Sequence, residues 1–100
     1  MRVDFVMQKI IVKNVIEDSF SPIGGHKLGN ALKRELEGNS VSLDFNGISP
    51  FTSLFFNAMF ADLKELGDLE ELNKRITVTG LESDDLETYE RCKNNAINKQ

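Results

Sequence analysis

The chain of 100 residues has a normal length for one domain and is too short for two. Its 40% hydrophobic and 28% charged residues exclude a disordered or membrane-embedded chain. The net charge of −4 argues against nucleic acid as a partner, because binding to a phosphate backbone depends on Lys and Arg.

Cysteine and histidine occur once each, as Cys92 and His26. One cysteine cannot form an internal disulfide, and a zinc site would need carboxylates for nearly all of its ligands. Asp44 could act as a base, but the local pattern places no second carboxylate near it. We therefore expect no enzymatic activity, no metal and no cofactor. The first residues lack the apolar run of a signal peptide, so we expect a cytoplasmic location.

The predicted elements alternate between strand and helix. Residues 9–16 (KIIVKNVI) are apolar and β-branched, which predicts a strand, and residues 1–7 give a weaker one. Residues 17–25 (EDSFSPIGG) contain a proline and two glycines and are predicted to form a loop. Apolar residues at helical spacing then predict a helix over about residues 26–37.

Two further segments alternate between apolar and polar residues, and both are predicted strands: residues 40–45 (SVSLDF) and 76–81 (ITVTGL). Parallel strands covered by helices on both faces would be apolar throughout. We therefore predict one α/β domain over residues 1–100, with its core at about residues 9–97. Its architecture is a one-sided layer, with a roughly four-stranded mixed sheet and about three helices packed mainly on one face.

A long helix is predicted between these two strands. It follows a turn at residues 46–50, with Ser49 as its N-cap and Pro50 at its first position, and it ends near Leu66. The final helix begins near residue 83, with acidic residues in its first turn.

Four phenylalanines lie within ten residues of the long helix, at positions 51, 55, 56 and 60. Helical spacing places most of the apolar residues on a wide arc facing the core, while Phe51 and Leu54 lie on another side. Two interpretations of Phe51 and Leu54 stay open. They pack under a loop, or they form a surface that binds a partner.

Residues 41–58 (VSLDFNGISPFTSLFFNA) resemble the signature of the STAS-like family of small bacterial domains. In that family an apolar strand ending L-D-F-x-G-V is followed by a short turn and by S-x-F-x-N-A at a helix start. Residues 20–25 (FSPIGG) also resemble the family's F-S-P-x-x-G loop. In layout the resemblance covers about residues 9–97, and it implies a STAS-like fold and a regulatory, protein-binding role.

A fainter similarity extends to the anti-sigma factor antagonists, in which a serine after an aspartate is phosphorylated by a partner kinase. When the motif of the antagonists is aligned without gaps from Leu43, its serine aligns with Ser53 and its aspartate with Thr52. The resemblance implies that Ser53, with Thr52 beside it, is the candidate phosphoacceptor. It also implies a partner that is a serine kinase or anti-sigma factor of the histidine-kinase-like ATPase fold. The missing aspartate argues against phosphorylation, and both hydroxyls could instead satisfy N–H groups at the helix start.

The predicted partner-binding surface is the turn and helix start at residues 49–57. Its contact residues are Ser49, Pro50, Phe51, Leu54 and Asn57. Two alternatives remain. One is a small-ligand or nucleotide-sensing domain that uses the Gly24-Gly25 loop, and the other is an inhibitor or structural subunit that forms a homodimer through the aromatic helix.

Overall fold

In a computed structural model, which describes residues 7–98, strands and helices alternate along the chain. A short 3-10 turn at Val12–Asn14 follows the first strand. The strands and helices are β1 (Met7–Ile11), α1 (Pro22–Glu35), β2 (Ser40–Asp44), α2 (Ser53–Leu63), α3 (Leu69–Asn73), β3 (Ile76–Thr79) and α4 (Ser83–Asn98).

The three strands within residues 7–98 form a parallel sheet in the order β1-β2-β3. The predicted four-stranded mixed sheet is therefore not confirmed. The weaker strand predicted over residues 1–7 lies outside the described residues except for Met7, which begins β1. The α/β class is confirmed, because four α-helices accompany the sheet in the described part of the chain.

The two faces of the sheet differ in burial, as the alternating pattern predicts. Ile10 and Leu43 are paired in register, and both are buried in the core that the helices share. On the opposite face, Lys9 and Thr77 lie on either side of Ser42, and both are exposed. The polar positions of the strands thus face away from the core.

Helix α1 begins earlier than predicted, at Pro22. The Ser21 side chain caps it by accepting a hydrogen bond from the Ile23 N–H at 3.2 Å, and proline suits the first helical position. The last residues of the predicted loop are therefore helical. Gly24 and Gly25 are buried in α1, where a Cβ on Gly25 would overlap the carbonyl oxygen of Phe55 in α2. Glycine at this position allows the two helices to pack closely.

Helix α2 begins later than predicted, at Ser53. Thr52 is its N-cap and accepts a hydrogen bond from the Phe55 N–H at 3.3 Å, so the predicted capping role of Ser49 is wrong. Pro50 precedes the helix, and the Ser49–Pro50 peptide bond is cis. The predicted long helix stops at Leu63, and a short helix that was not predicted, α3, follows it with Asp68 as its N-cap.

Aromatic rings fill the core between the sheet, α2 and α4. The Phe45 and Phe56 rings both pack against Tyr89 of α4, with centroids 6.5 and 5.3 Å away. All four phenylalanines of the 51–60 segment are buried. Over residues 7–98, none of the helices combines the length and hydropathy that crossing a membrane requires.

Candidate functional site

The starts of three helices meet at one edge of the sheet. Because the described strands are parallel, their carboxyl ends lie at the same edge, and α1, α2 and α4 begin on the connections that leave it. Helix α2 packs against both α1 and α4, so its start is the central one. Ligands of open parallel sheets bind outside this edge, which makes it the first place to look for a site.

Hydrogen bonds from two other parts of the chain hold the segment before α2 in place. The Phe51 N–H donates to the buried carboxylate of Asp85 in α4 at 3.0 Å. The Ser19 hydroxyl donates to the Pro50 carbonyl at 2.8 Å, and the Thr52 N–H donates to the Ser19 carbonyl at 3.3 Å. The start of α2 is thereby fixed against the α1 loop and the start of α4.

Phe51 is a core residue. It is only 5% exposed, and its ring centroid lies 5.2 Å from that of Phe45 and 5.0 Å from that of Phe55. The interpretation that Phe51 packs under a loop therefore fits the structure, and the role of a surface contact does not. Of the two predicted apolar anchors, only Leu54 lies at the surface, with 58% of it exposed.

The other predicted contact residues lie at or near the surface. Ser49, Pro50 and Asn57 are exposed. Asn57 faces a shallow groove between α2 and α4 that Asn95 also lines. Together with Leu54, these residues are exposed positions of the turn and the first two turns of α2.

The two candidate phosphoacceptors differ in their hydrogen bonding. The Thr52 hydroxyl donates to the Phe20 carbonyl and caps α2, so it already has a structural role. Ser53 is the first residue of α2 and is half-buried, and its hydroxyl has no hydrogen-bond partner within residues 7–98. Ser53 is therefore the better placed of the two to accept a phosphate.

Three exposed apolar residues that the sequence did not single out share this edge with Leu54. Phe20 precedes the N-cap of α1 and is 54% exposed, Ile23 lies in the first turn of α1 and is 68% exposed, and Leu86 lies at the start of α4 and is 43% exposed. We refer to Phe20, Ile23, Leu54 and Leu86 as the edge patch. Their common signal in the sequence is an apolar residue within four positions of each helix start.

The charge of Asp18 beside the edge patch is fixed by hydrogen bonds. Its carboxylate accepts from the Ser21 hydroxyl, from the Phe20 N–H at 2.8 Å and from the Ser21 N–H at 3.2 Å. The Ser21 hydroxyl and then the Phe20 N–H lower the pKa of the Asp18 carboxyl. Asp18 therefore stays ionised at neutral pH and orders the loop that carries Phe20.

The features expected of the alternative functions are not assembled here. Gly24 and Gly25, the predicted ligand loop, lie inside α1. Gly24 packs against the Asp18 carbonyl and Gly25 against α2, so neither faces an open cleft. The phenylalanines of the aromatic helix are buried, so they offer no surface for self-association. Across the described part of the chain, no three His, Cys, Asp or Glu side chains are grouped so that they could hold a metal ion.

The single histidine and the single cysteine have separate surroundings. His26 is exposed, and its Nδ1 atom lies 2.9 Å from the Asp62 carboxylate, which links α1 to α2. Cys92 is buried in α4 with its Sγ atom 3.9 Å from the Ser53 carbonyl oxygen, and burial raises the pKa of its thiol. A raised pKa keeps this thiol protonated, which is the opposite of what a nucleophilic cysteine needs.

Asp44, the remaining candidate base, also has a structural explanation. Its carboxylate accepts hydrogen bonds from the Asn46 N–H at 2.9 Å and from the Asn46 side chain at 2.8 Å, and it lies 3.7 Å from the Lys9 ammonium. The Asn46 N–H is the main cause of the lowered pKa of the Asp44 carboxyl. Asp44 therefore closes the turn after β2.

Comparison with known protein families identifies the family to which this fold and site correspond. A family model described as a STAS-like domain of unknown function matches residues 24–86, more than half of the chain. The matched region begins inside α1, ends at the start of α4 and contains the whole segment from residue 49 to residue 57. No curated protein and no solved structure matches the chain.

Proposed function

The chain belongs to the family of STAS-like domains of unknown function, and from this premise we propose that it is a regulatory, non-catalytic module that binds another protein. The binding surface is the edge patch together with the exposed residues Ser49, Pro50 and Asn57. The observation that carries the proposal is the grouping of four exposed apolar side chains on three fixed helix starts.

The energetics of this surface favour binding. Complete burial of a Leu, Ile or Phe side chain contributes about 1.5–3 kcal/mol, and each residue of the edge patch still exposes between 43% and 68% of its surface. The hydrogen bonds of Phe51 and Thr52 already order the segment on which Leu54 lies. A partner therefore meets a preorganised surface and loses little free energy in ordering it.

The proposed class of partner comes from the similarity of the 41–58 segment to anti-sigma factor antagonists. That similarity suggests a serine kinase or an anti-sigma factor of the histidine-kinase-like ATPase fold. Such a partner would contact the start of α2, where Ser49, Pro50, Leu54 and Asn57 are exposed. The same similarity supports a cytoplasmic location for both proteins.

Ser53 is the proposed site of control. A phosphate on the first residue of a helix gains from the unpaired N–H groups and the dipole of that helix. The same phosphate would add about −1.5 to −2 charges next to Leu54. Charge of that size opposes burial of an apolar side chain, so phosphorylation would release the partner.

The experiment is an affinity capture from the native host with four baits: the wild type, Leu54→Gln, Ser53→Asp and Leu66→Gln. Leu66 is the matched control, because it is a leucine that is 41% exposed just beyond the other end of α2. Captured proteins are identified by mass spectrometry, and the affinity of the purified partner for each bait is then measured.

We expect the wild type and Leu66→Gln to capture an ATPase-fold protein. We expect Leu54→Gln and Ser53→Asp to capture none of it. Equal capture by Leu54→Gln would remove this surface from consideration. Equal capture by Ser53→Asp alone would leave the binding module in place and reject control by phosphorylation.

A further inference from the structure

Acidic residues are concentrated in the two segments that carry three of the four edge-patch side chains. Residues 17–27 and 82–87 together contain six carboxylates and one lysine, whereas the whole chain has a net charge of −4. The rest of the chain is therefore slightly positive. The excess negative charge of the chain is thus carried by these two segments, both of which adjoin helix starts at the carboxyl edge of the sheet.

Four of these carboxylates are available to a partner. Glu17, Glu82, Asp84 and Glu87 are exposed, and none of them forms an ion pair with another residue between positions 7 and 98. Glu17 precedes Phe20 on the same loop, and the other three surround Leu86 at the start of α4. These four acids thus flank Phe20 and Leu86 of the edge patch, and we refer to them as the acidic rim.

We propose that the partner presents a basic surface with an apolar centre, in which Lys and Arg side chains surround the pocket for Leu54 and Phe20. This inference rests on the proposed function and adds the chemistry of the partner to it. Carboxylates that lose water at an interface must gain cations, since an unpaired desolvated charge is unfavourable. Opposite charge also speeds the encounter of the two proteins, and a partner with an acidic surface would be repelled.

A second copy of this chain does not fit the same surface. A two-fold interface brings the same patch of each copy together. It would place the rim of Glu82, Asp84 and Glu87 against an identical rim, with only the lysine at position 27 in these segments to offset it. Self-association through this edge is therefore disfavoured. The charges favour a partner with a basic surface over a second copy of this chain.

The probe for this proposal is a yeast-displayed library of random 12-residue peptides, sorted for binding to the full chain and counter-sorted against Leu54→Gln. The sorted clones are sequenced and then titrated with two charge-reversed forms. The test form is Glu82→Lys with Glu87→Lys. The control form is Glu37→Lys with Glu70→Lys, two exposed acids away from the carboxyl edge, so that both forms change the net charge equally.

We expect the Leu54-dependent clones to be enriched in Lys and Arg next to apolar residues. Their affinity should fall by about tenfold or more in the test form, stay within about twofold in the control form, and weaken as salt is added. A second test form, Glu82→Gln with Glu87→Gln, should give an intermediate loss. Circular dichroism on all forms checks that they are folded.

Each contrary outcome has a distinct meaning. Leu54-dependent clones without Lys and Arg enrichment, or equal losses in the test and control forms, would overturn the basic partner and leave the proposed function intact. If no clone distinguishes wild type from Leu54→Gln, the proposed function fails, and this inference fails with it. Sedimentation that shows the wild type self-associating in a Leu54-dependent way would also overturn the inference.

Discussion

Helix α2 begins at the carboxyl edge of the sheet beside the edge patch and ends at the opposite edge among polar contacts. At its end, the Lys33 ammonium lies 2.8 Å from the Glu65 carboxylate. The Arg75 guanidinium there donates to the carbonyls of Leu36 and Asn39, the latter at 2.7 Å. These polar groups are satisfied within the chain, whereas Leu54 at the start of α2 and the acidic residues at the neighbouring start of α4, such as Asp84, are exposed. The difference supports the proposal that the start of α2, and not its end, contacts a partner.

The largest expected effect concerns the close packing of α1 on α2, which sets the spacing of the two helix starts. In Gly25→Ala the new Cβ would overlap the Phe55 carbonyl oxygen and lie 2.9 Å from the Ala58 Cβ. The helices must move apart, so we expect the free energy of unfolding to fall by about 2–3 kcal/mol despite the better helix propensity of alanine. Urea unfolding measures it. The control is Asn30→Ala, at an exposed position of α1. An unchanged free energy of unfolding in Gly25→Ala would contradict the close packing of α1 on α2.

The next largest effect is expected from the hydrogen bond between Asp85 and the Phe51 N–H, which holds the segment before α2 in place. Asp85→Ala leaves the buried Phe51 N–H without its acceptor, so we expect a loss of about 2 kcal/mol in the free energy of unfolding. Asp85→Asn keeps an acceptor oxygen and should lose less. Asp84→Ala, at an exposed neighbour, should change stability by less than about 0.5 kcal/mol. Equal effects of the two alanine substitutions in denaturant titrations would mean that Asp85 does not hold the segment.

A pH titration tests the core behind the edge patch. Burial, and then Glu90, raises the pKa of Tyr89. A group whose pKa is raised on folding contributes stability that is present below its unfolded pKa of about 10 and is lost as the pH rises above it. Tyr89 is the only tyrosine and the chain has no tryptophan, so tyrosinate absorbance reports on this residue alone.

We expect tyrosinate to form only together with unfolding, at a pH above 10, and we expect Tyr89→Phe to be less sensitive to alkali than the wild type. Circular dichroism over the same pH range follows the unfolding. A titration near pH 10 in a chain that stays folded would show that the ring between α2 and α4 is open to solvent.

The smallest expected effect on stability separates the two ends of α2 most directly. Leu54→Gln and Leu66→Gln each replace an exposed leucine, so each should change the free energy of unfolding by less than about 0.5 kcal/mol. Thermal unfolding checks this, and only Leu54→Gln should weaken partner binding. A loss above about 1 kcal/mol in Leu54→Gln would assign Leu54 to packing and remove it from the binding surface.

Much of the fold was predictable because its signals are local. Alternation over residues 40–45 predicted a strand with one polar face, and the 3.6-residue period predicted α1, α2 and α4. The exact helix starts were not predictable in the same way. Ser49-Pro50 and Thr52-Ser53 both resemble a capped helix start, and the choice of Thr52 depends on hydrogen bonds from loop residues distant in sequence.

The candidate site was predictable only in part. The motif around Ser53 followed from the family resemblance, and the spacing placed Phe51 and Leu54 off the core-facing arc without deciding which of the two is exposed. Phe20, Ile23 and Leu86 did not stand out, because single apolar residues at helix starts are common on protein surfaces. Their grouping arises from three parallel strands that bring three helix starts to one edge.

By itself, the sequence determined the α/β class, the polar face of the sheet and the aromatic core, since each depends on a period of two or 3.6 residues along a short segment. Only the tertiary structure decided that Phe51 is buried and Leu54 exposed, that Gly25 lies inside a helix, and that acids and apolar residues from opposite ends of the chain share one surface. Burial and proximity are properties of long-range contacts, and the local pattern of residues does not specify which segments meet.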